Sequence, residues 1–594
     1  TVPGAGTLLT AGTGLLIESN ATVNFNAGAG NTQLFEDIIS DNSATSYQGA
    51  PVAGGDGANV NINSGLVIFE GLNTYSGDTN IAGGILRADD GVGIHDVSNI
   101  NFSNNGILET SGRFERNIGS IDTRVQWTGS GGFGAYQDDL EIRLDAGQEI
   151  DWLDPDFVGD SNQLIFGSEN ATHVVRLENN INLNGGIRDI SVHEGAGSGS
   201  FAIMEGALID GSPVNNAGLN VNSLAGHSGT LQLEGVNTYR GATSVQAGVL
   251  KLVSGSAISN ESHLEVVSGA TFDITEAGDQ TVGDLSGAGT VAIGANTFTA
   301  ENDENSTFSG VITDGDATGN FVKEGGGTLT IDQIQLYDGS TAINKGTIAL
   351  SGDGSLENSS ELSIGTNGEL DISQTTGDGN EVINNLSGDG KVSLGNRTLN
   401  LNQSQNLTYI GDISDGGIGG GTGGSILKTG TGLLSLTASN SFTGSLDVTG
   451  GTISLTTDGA LATNTINIGE LGELAINAGE DIFGSFGLSS SATVTNSGIL
   501  DVNVNDTIET LHNTGVVNGS DDNAATLTAI TYNLNDGSEI NANLGIGTVN
   551  SNGSVALNGH SDASVVDVHT GTLTLGSAER LNDDTTLSIA DDAV

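Results

Sequence analysis

A short pattern recurs four times along the 594-residue chain, and this repetition constrains the fold more than any other feature. Each copy has a glycine, an alternating apolar strand, an aromatic residue, a second glycine and another alternating strand. The copies occupy residues 64–86, 228–252, 327–350 and 432–455, with a partial copy at 571–575. A unit of this size cannot bury its apolar face alone, so the repeats predict stacked neighbours that share one core.

The alternation within each copy has the two-residue period of a β-strand. In the third copy, Leu329 and Ile331 are expected to point inward, followed by Ile348 and Leu350, while Ala349 points outward. The sequence therefore predicts an all-β fold, a right-handed parallel β-helix (β-solenoid) rod with loop insertions. Coils of about 20 to 25 residues would give roughly 25 to 30 coils.

The composition supports one elongated array over several compact domains. Gly is abundant at 93 residues, only 4 residues are Pro, and aromatic residues make up 4% of the chain. Short runs of branched apolar residues between Gly, Asn, Asp and Ser are typical of strands and tight turns. Cysteine is absent, which excludes disulfides, thiolate metal sites and a cysteine nucleophile.

The charge is strongly acidic, because 15 basic residues face 73 acidic ones for a net charge of −58. Such a chain repels nucleic acid and anionic membranes and attracts divalent cations. No apolar run is long enough for a transmembrane helix, and no signal peptide is visible. We interpret the chain as a piece of a longer protein.

Three regions differ in loop length. Residues 1–109 are predicted as N-terminal β-solenoid coils, and 228–594 as the β-solenoid repeat region. Residues 110–227, which hold both tryptophans and an arginine cluster, are predicted as solenoid with longer loops or an insertion. The glycine-rich segment 411–425 is expected to be a flexible loop off one edge.

The second copy carries a resemblance to a known repeat. Its matching residues are Gly229, Thr230, Leu231, Leu233, Gly235, Asn237, Tyr239, Gly241, Thr243, Val245, Gly248 and Leu250. They resemble the autotransporter-associated β-strand repeat, a passenger-associated repeat of large bacterial surface proteins. The third copy departs with Gln333 and Gln335 at the Gly and Asn positions and with Leu336 before the aromatic, and the fourth has Phe442 for Tyr.

The resemblance implies an extracellular passenger that is secreted through a Gram-negative envelope. It also implies an outer-membrane barrel elsewhere in the precursor, so that contact with the outer membrane lies outside this chain. Members of such families act as adhesins, self-associating factors or surface fibres. Family membership therefore indicates architecture more strongly than function.

No catalytic arrangement stands out. The acidic residues form no distinctive pair, the eight histidines share no metal-ligand spacing, and a G-x-S-x-G motif is absent. We therefore predict no enzyme activity and no required cofactor. A polysaccharide-degrading β-helix enzyme is the least favoured alternative.

Calcium is the main metal hypothesis, because it takes six to eight oxygen ligands from carboxylates, amides and turn carbonyls. The candidate ligands are Asp154, Asp156 and Asp160 in one segment and Asp314 and Asp316 in another. A third acidic cluster contains Glu301, Asp303 and Glu304. None fits a known calcium-loop pattern, and solvated turn acids are the alternative.

Asparagines alternate with apolar residues in two places. Asn59, Asn61 and Asn63 interleave with Val60 and Ile62, and Asn400 and Asn402 flank Leu401. Amides at equivalent positions of successive coils are expected to stack along the solenoid axis. The sequence indicates a structural role for them and no binding role.

The sequence is consistent with two functions for a non-enzymatic surface protein. An adhesin or self-associating passenger would bind other copies of itself, neighbouring cell surfaces or glycans. The alternative is a structural subunit of an extracellular filament or matrix, bridged by cations. Both place the protein at the bacterial cell surface or in a secreted matrix.

Overall fold

The computed structural model describes residues 8–9, 14–18, 20–41, 57–197, 201–211, 216–253, 255, 257–376, 380–478, 487–520 and 524–594. It confirms the predicted class, since the fold is an all-β parallel β-solenoid of about 25 turns with 55% strand. Contacts divide the chain into two units, Thr1–Phe298 and Thr299–Val594. Among the described residues, helical structure includes a 3-10 turn at Asp145–Gly147, and no helix could cross a bilayer.

The first unit is built from short strands joined by tight turns. Its strands of three or more residues are Leu15–Ile17, Thr22–Asn26, Thr32–Phe35, Ile39–Asp41, Asn59–Ser64, Leu66–Phe69, Thr79–Ala82, Ile85–Arg87, Ile100–Ser103, Gly106–Ile118, Arg124–Trp127, Gly131–Leu144, Gln163–Phe166, Val175–Leu177, Ile187–Val192, Ala202–Met204, Gly218–Val221, Thr230–Leu233, Thr243–Val245, Val249–Val253, Leu264–Val266, Thr271–Glu276, Gln280–Val282, Leu285–Gly287, Thr290–Ala292 and Thr297–Glu301, within which this unit ends.

The second unit has the same construction. Its strands of three or more residues are Ser306–Phe308, Val311–Thr313, Asn320–Glu324, Thr328–Ile331, Ser340–Gly352, Glu361–Thr375, Asn380–Asn384, Leu386–Gly388, Lys391–Ser393, Thr398–Asn402, Leu407–Tyr409, Ser425–Thr429, Leu433–Leu436, Ser445–Val448, Gly451–Thr457, Thr465–Ile468, Gly472–Ala478, Thr493–Asn496, Ile499–Val502, Asp506–Asn513, Val516–Gly519, Thr526–Asn535, Thr548–Leu557, Val565–Leu575 and Thr586–Ile589. The predicted three-part division by loop length stays a prediction.

Strands of successive coils pair in parallel and bring equivalent apolar residues into one interior row. In the first unit, Ile62, Ile81, Phe102 and Trp127 follow one another in register, and each is at most 3% exposed. Burying a side chain of this size contributes about 1.5–3 kcal/mol. The row lies inside because the alternating residues of each strand face opposite sides of the sheet.

The third repeat shows the predicted alternation with one exception. Leu329 and Ile331 are fully buried, as are Ile348 and Leu350. Ala349, which the alternation places on the outer face, is also fully buried. Its register neighbour on the next coil is Asp371, to which a later loop is hydrogen-bonded.

That loop is the glycine-rich segment 411–425, which was predicted to be flexible. The Ile418 N–H donates to Asp371 Oδ2 at 2.5 Å, and the Gly419 N–H donates to Ser373 Oγ at 2.7 Å. A Cβ at Gly417 would lie 2.5 Å from Asp371 Oδ1. The glycines therefore let the backbone lie against the sheet instead of projecting from its edge.

A buried hydroxyl relay explains the aromatic position of the repeats. In the second copy, Tyr239 OH lies 2.8 Å from Thr243 Oγ1, which lies 2.9 Å from Ser262 Oγ. Ser262 then donates to the Gly241 carbonyl at 2.8 Å. The same relay occurs at Tyr75, Thr79 and Ser98 and at Tyr337, Thr341 and Ser359. The relay ties two successive coils together through groups that burial would otherwise leave unsatisfied.

The fourth copy lacks the relay, because the tyrosine and the threonine are both replaced by apolar residues. Phe442 replaces the tyrosine, and Leu446 stands at the threonine position, so both hydroxyls are absent together. Thr463 Oγ1 still donates to the Gly444 carbonyl, as the serine does in the other copies. The departure therefore leaves no buried hydroxyl without a partner at these positions.

The asparagine of the repeat is a buried bridge between coils. Asn237 Oδ1 accepts the Leu208 N–H at 2.8 Å, and its amide donates to the Ala257 carbonyl at 2.9 Å. In the third copy, Gln335 Oε1 accepts the Ile312 N–H at 2.9 Å. The Gln at this position thus keeps the main hydrogen bond of the Asn it replaces.

Candidate functional site: an amide ladder and an adjoining tryptophan groove

Five parallel strands of the first unit carry a row of amide side chains on their outer face. These strands are Thr22–Asn26, Asn59–Ser64, Thr79–Ala82, Ile100–Ser103 and Arg124–Trp127. The row contains Asn24, Asn61, Asn80, Asn101 and Gln126, which are register partners on successive strands. In the last four strands, the residue directly after the amide belongs to the buried apolar row. Because successive side chains of a strand face opposite sides of the sheet, these amides face outward.

The asparagines of this row form a hydrogen-bonded ladder, which confirms the predicted stacking of amides along the axis. Asn61 donates to Asn24 at 2.9 Å, Asn80 to Asn61 at 2.9 Å, and Asn101 to Asn80 at 3.1 Å. Thr128 Oγ1 extends it by donating to Asn101 Oδ1 at 2.9 Å. An amide has two N–H groups and two acceptor lone pairs, so a middle rung keeps one of each for an external partner.

The ladder ends beside an open groove of about 410 Å³. Its lining residues are Gln126, Trp127, Thr128, Trp152, Leu153, Asp154, Pro155, Asp156, Phe157, Gly159, Asp160 and Asn162. Gln126 and Thr128 belong to both the ladder face and the groove. The volume falls within the roughly 300–1,000 Å³ of small-molecule sites.

Three buried aromatic rings form the apolar side of the groove. The Phe157 ring lies 5.0 Å from Trp127 and 5.6 Å from Trp152, with both pairs near edge-to-face. The backbone N–H of Trp127 donates to the Asp156 carbonyl at 2.9 Å, which joins the groove wall to the last ladder strand. Trp152 Nε1 is buried and has no hydrogen-bond partner among the described residues, which costs about 1–3 kcal/mol.

The structure brings Asp154, Asp156 and Asp160 to this one groove. Asp154 Oδ1 accepts the Asp156 N–H at 2.9 Å and shapes the turn. Asp160 pairs with Arg188, whose side chain is 3% exposed and also donates to the Leu183 carbonyl. Since that guanidinium compensates Asp160, the uncompensated negative charge at the rim comes from Asp154 and Asp156.

The other candidate ligands lie in the second unit. Asp314 is buried, and its Oδ2 accepts the N–H groups of Gly319 and Asp338 at 3.0 and 2.9 Å, whereas Asp316 is exposed. Within the described part of the chain, no three Asp, Glu or His side chains converge as a metal cluster. Calcium at either place stays a prediction, and it would need carbonyl or amide oxygens as well.

The arginine cluster of the first unit is paired with glutamates. Arg113 and Arg143 both approach Glu178, at 3.1 and 3.8 Å, and Arg143 lies 3.7 Å from Glu115. Neighbouring glutamates raise the pKa of Arg113 through a hydrogen bond to Glu115. Neighbouring glutamates therefore compensate the charges of Arg113 and Arg143.

Sequence reasoning missed most of the ladder. It singled out Asn61 but not Asn80, Asn101 or Gln126, because each of these stands alone in its own strand. The available signal was an amide directly before an inward apolar residue, recurring after 19 residues at Asn80 and 21 more at Asn101. Neither the groove nor its contact with the ladder has such a signal.

The four repeats match a known family. A profile of the passenger-associated-transport-repeat matches residues 63–88, 228–252, 321–350 and 426–455. The chain carries passenger-associated-transport-repeats. The resemblance found in the sequence is thereby confirmed. The first matched repeat contains Asn80 of the ladder, whereas the residues that line the groove lie outside all four repeats.

Two matches begin earlier than the sequence pattern and include a buried lysine. In the fourth passenger repeat, Lys428 Nζ donates to the carbonyls of Thr429, Gly430 and Gly450 at 2.7, 3.1 and 3.0 Å. Lys323 of the third repeat binds carbonyl groups in the same manner. Burial lowers the pKa of Lys428 to about 8.

Two curated proteins are similar to this chain. The adhesin BmaC autotransporter of Brucella suis biovar 1 (strain 1330) is 28% identical over 566 residues, covering 84% of this chain and 15% of that protein. The uncharacterized lipoprotein YdeK of Escherichia coli (strain K12) is 28% identical over 287 residues, covering 41% of this chain and 20% of YdeK. The chain thus spans a minor part of either relative, and no solved structure matches it significantly.

Proposed function

We propose that this chain is the adhesive part of an extracellular, surface-displayed passenger and that it acts by binding instead of catalysis. The observation that carries the proposal is the similarity of 84% of the chain to an autotransporter adhesin. The four passenger repeats support the same location and architecture. Because the fold class alone does not define a function, the binding surface is argued from the side chains.

The binding surface of the proposal is the amide ladder together with the groove. Its outward amides are fixed by the sheet and by one another, so little side-chain freedom is lost on contact. An adhesin needs such a preorganised face and no acid–base pair. The carboxylate of Asp160 forms an ion pair with Arg188, and Asp154 accepts a backbone N–H. Both interactions stabilise the local structure of the groove.

The proposal is tested by coating beads with the full chain and measuring their retention under flow. The surfaces are mammalian cells, bacterial cells and immobilised glycans. Retention well above that of beads coated with the heat-unfolded chain is expected on at least one surface. Equal retention of the two bead types on every surface would refute an adhesive role.

A further inference from the structure

The ladder repeats along the solenoid axis, and this direction restricts what can bind it. One amide stands on each of five successive coils, and parallel strands are spaced by about 4.8 Å. An extended peptide that adds to a sheet runs along the strands and therefore across the ladder. A polymer that meets every rung must run along the axis with a similar repeat, as the pyranose rings of an extended polysaccharide do.

The hydrogen-bonding capacity of the rungs fits hydroxyl groups. Asn61 and Asn80 each use one N–H and one oxygen lone pair within the ladder. The remaining N–H and lone pair of each rung match a hydroxyl, which both donates and accepts. A ligand with regularly repeated hydroxyl groups could therefore bind each rung without breaking the hydrogen bonds between the amides of the ladder.

Charge restricts the polymer further. The net charge of −58 opposes any polyanion, and the ladder row itself contains only neutral amides. Among the basic residues nearest in sequence, Arg87 and Arg116 pair with Glu109 and Asp90, and the Arg124 guanidinium donates to the Ile118 carbonyl at 2.9 Å. Sulfated, phosphorylated and uronic-acid polymers are therefore disfavoured, and a neutral polymer is favoured.

The groove offers a place for the end of such a chain. Asp154, Asp156 and Asn162 supply oxygen acceptors for hydroxyls at the rim, and buried rings form the apolar side. Trp152 lies in the wall of the groove, and its buried indole N–H has no partner among the described residues. The groove and ladder meet at Thr128, so one ligand reaches both.

We propose that this face binds a linear, uncharged polysaccharide along the solenoid axis, with its terminal sugar in the tryptophan groove. The inference rests on the proposed adhesive function and names its ligand class. Because the rungs follow one another along the axis, a chain of sugars contacts more of them than a single sugar does. The affinity therefore increases with the length of the oligosaccharide.

The test titrates the full chain with cello-oligosaccharides and chito-oligosaccharides of two to six sugars in a calorimeter, beside oligogalacturonate as the charged comparison. We expect at least tenfold tighter binding of one hexamer than of its dimer, and no binding of oligogalacturonate. Absence of binding by both neutral series, or equal affinity for dimer and hexamer, would overturn the proposal.

The variants separate the ladder from the groove. Thr128→Val keeps the side-chain shape and removes the junction hydroxyl, Asn80→Ala removes a rung, and Asp154→Asn alters the rim. Each is expected to weaken hexamer binding at least fivefold. The matched control is Asn541→Ala, which removes a rung of a similar ladder in the second unit. Equal weakening by Asn541→Ala would show that this face is not the site.

The bead assay distinguishes the two proposals. If beads adhere and soluble hexamer or Thr128→Val does not reduce their retention, the chain is an adhesin and the ligand assignment is wrong. If beads coated with the chain never adhere although the hexamer binds, the ligand assignment stands and the adhesive role fails.

Discussion

Glu381 is an interior carboxyl that contributes to the response of the second unit to pH. It is 6% exposed, and Oε1 accepts hydrogen bonds from Ser355 Oγ at 2.9 Å and the Leu356 N–H at 3.3 Å. Burial, reinforced by the charge of Glu357, raises its pKa from 4.5 to about 7. The folded state therefore favours the protonated form, and the stability it contributes below about pH 4.5 is lost as the pH rises through 7.

Glu381→Gln should stabilise the protein at neutral and alkaline pH, because the amide keeps the acceptor oxygen and carries no charge. The expected gain is up to about 3 kcal/mol at pH 8 and close to zero at pH 4. Urea unfolding of both proteins at the two pH values measures it. The exposed Glu470→Gln serves as the control, and an equal gain at both pH values would contradict the titration argument.

At the scale of one repeat, the Tyr–Thr–Ser relay behaves as a unit. Three repeats contain the whole relay, and the fourth replaces its tyrosine and threonine together by Phe442 and Leu446. A tyrosine without the threonine would bury an unsatisfied hydroxyl, and burial already raises the pKa of Tyr75 to about 12. The pairing of the two substitutions follows from this cost.

Phe442→Tyr alone is expected to lower the free energy of unfolding by about 1–3 kcal/mol, because its hydroxyl meets Leu446. The double variant Phe442→Tyr with Leu446→Thr should recover at least half of that loss by rebuilding the first bond of the relay. Chemical denaturation of the single and double variants provides the coupling energy. Strictly additive effects would show that the relay is not a unit, and Tyr337→Phe calibrates the cost of removing one hydroxyl.

At the scale of the whole molecule, the acidic charge opposes both folding and contact between copies. A net charge of −58 makes like-charge repulsion the dominant long-range force. Screening by salt reduces it over about 10 Å at 0.1 M ionic strength. Divalent cations that bind carboxylates act more strongly than screening alone.

Calcium is therefore expected to bring copies together where sodium at equal ionic strength does not. Sedimentation velocity should show larger particles in calcium and their reversal by a chelator. The double variant Asp154→Asn with Asp156→Asn tests whether the groove holds the ion, and Asp316→Asn provides an exposed comparison. Unchanged sedimentation in calcium would remove cation bridging as a route to filaments.

The fold was largely predictable because a solenoid is specified by local, repeating patterns. Alternation assigned Leu329 and Ile331 to the interior, and the spacing of asparagines around Asn61 indicated the ladder. The burial of Ala349 and the packing of segment 411–425 against the sheet were not predicted, because the hydrogen bond from Ile418 to Asp371 joins positions more than 40 residues apart. Such a contact leaves no periodic trace in either segment.

The sequence by itself determined the fold class and the repeat family, since both follow from residue identity at fixed spacing. It also placed Asp154, Asp156 and Asp160 in one segment. Only the tertiary structure decided that Arg188 engages Asp160, that Trp152 and Phe157 form a groove, and that this groove adjoins the ladder. The physical reason is that coil stacking joins residues about 20 or more positions apart, through register and turn geometry that no single segment encodes.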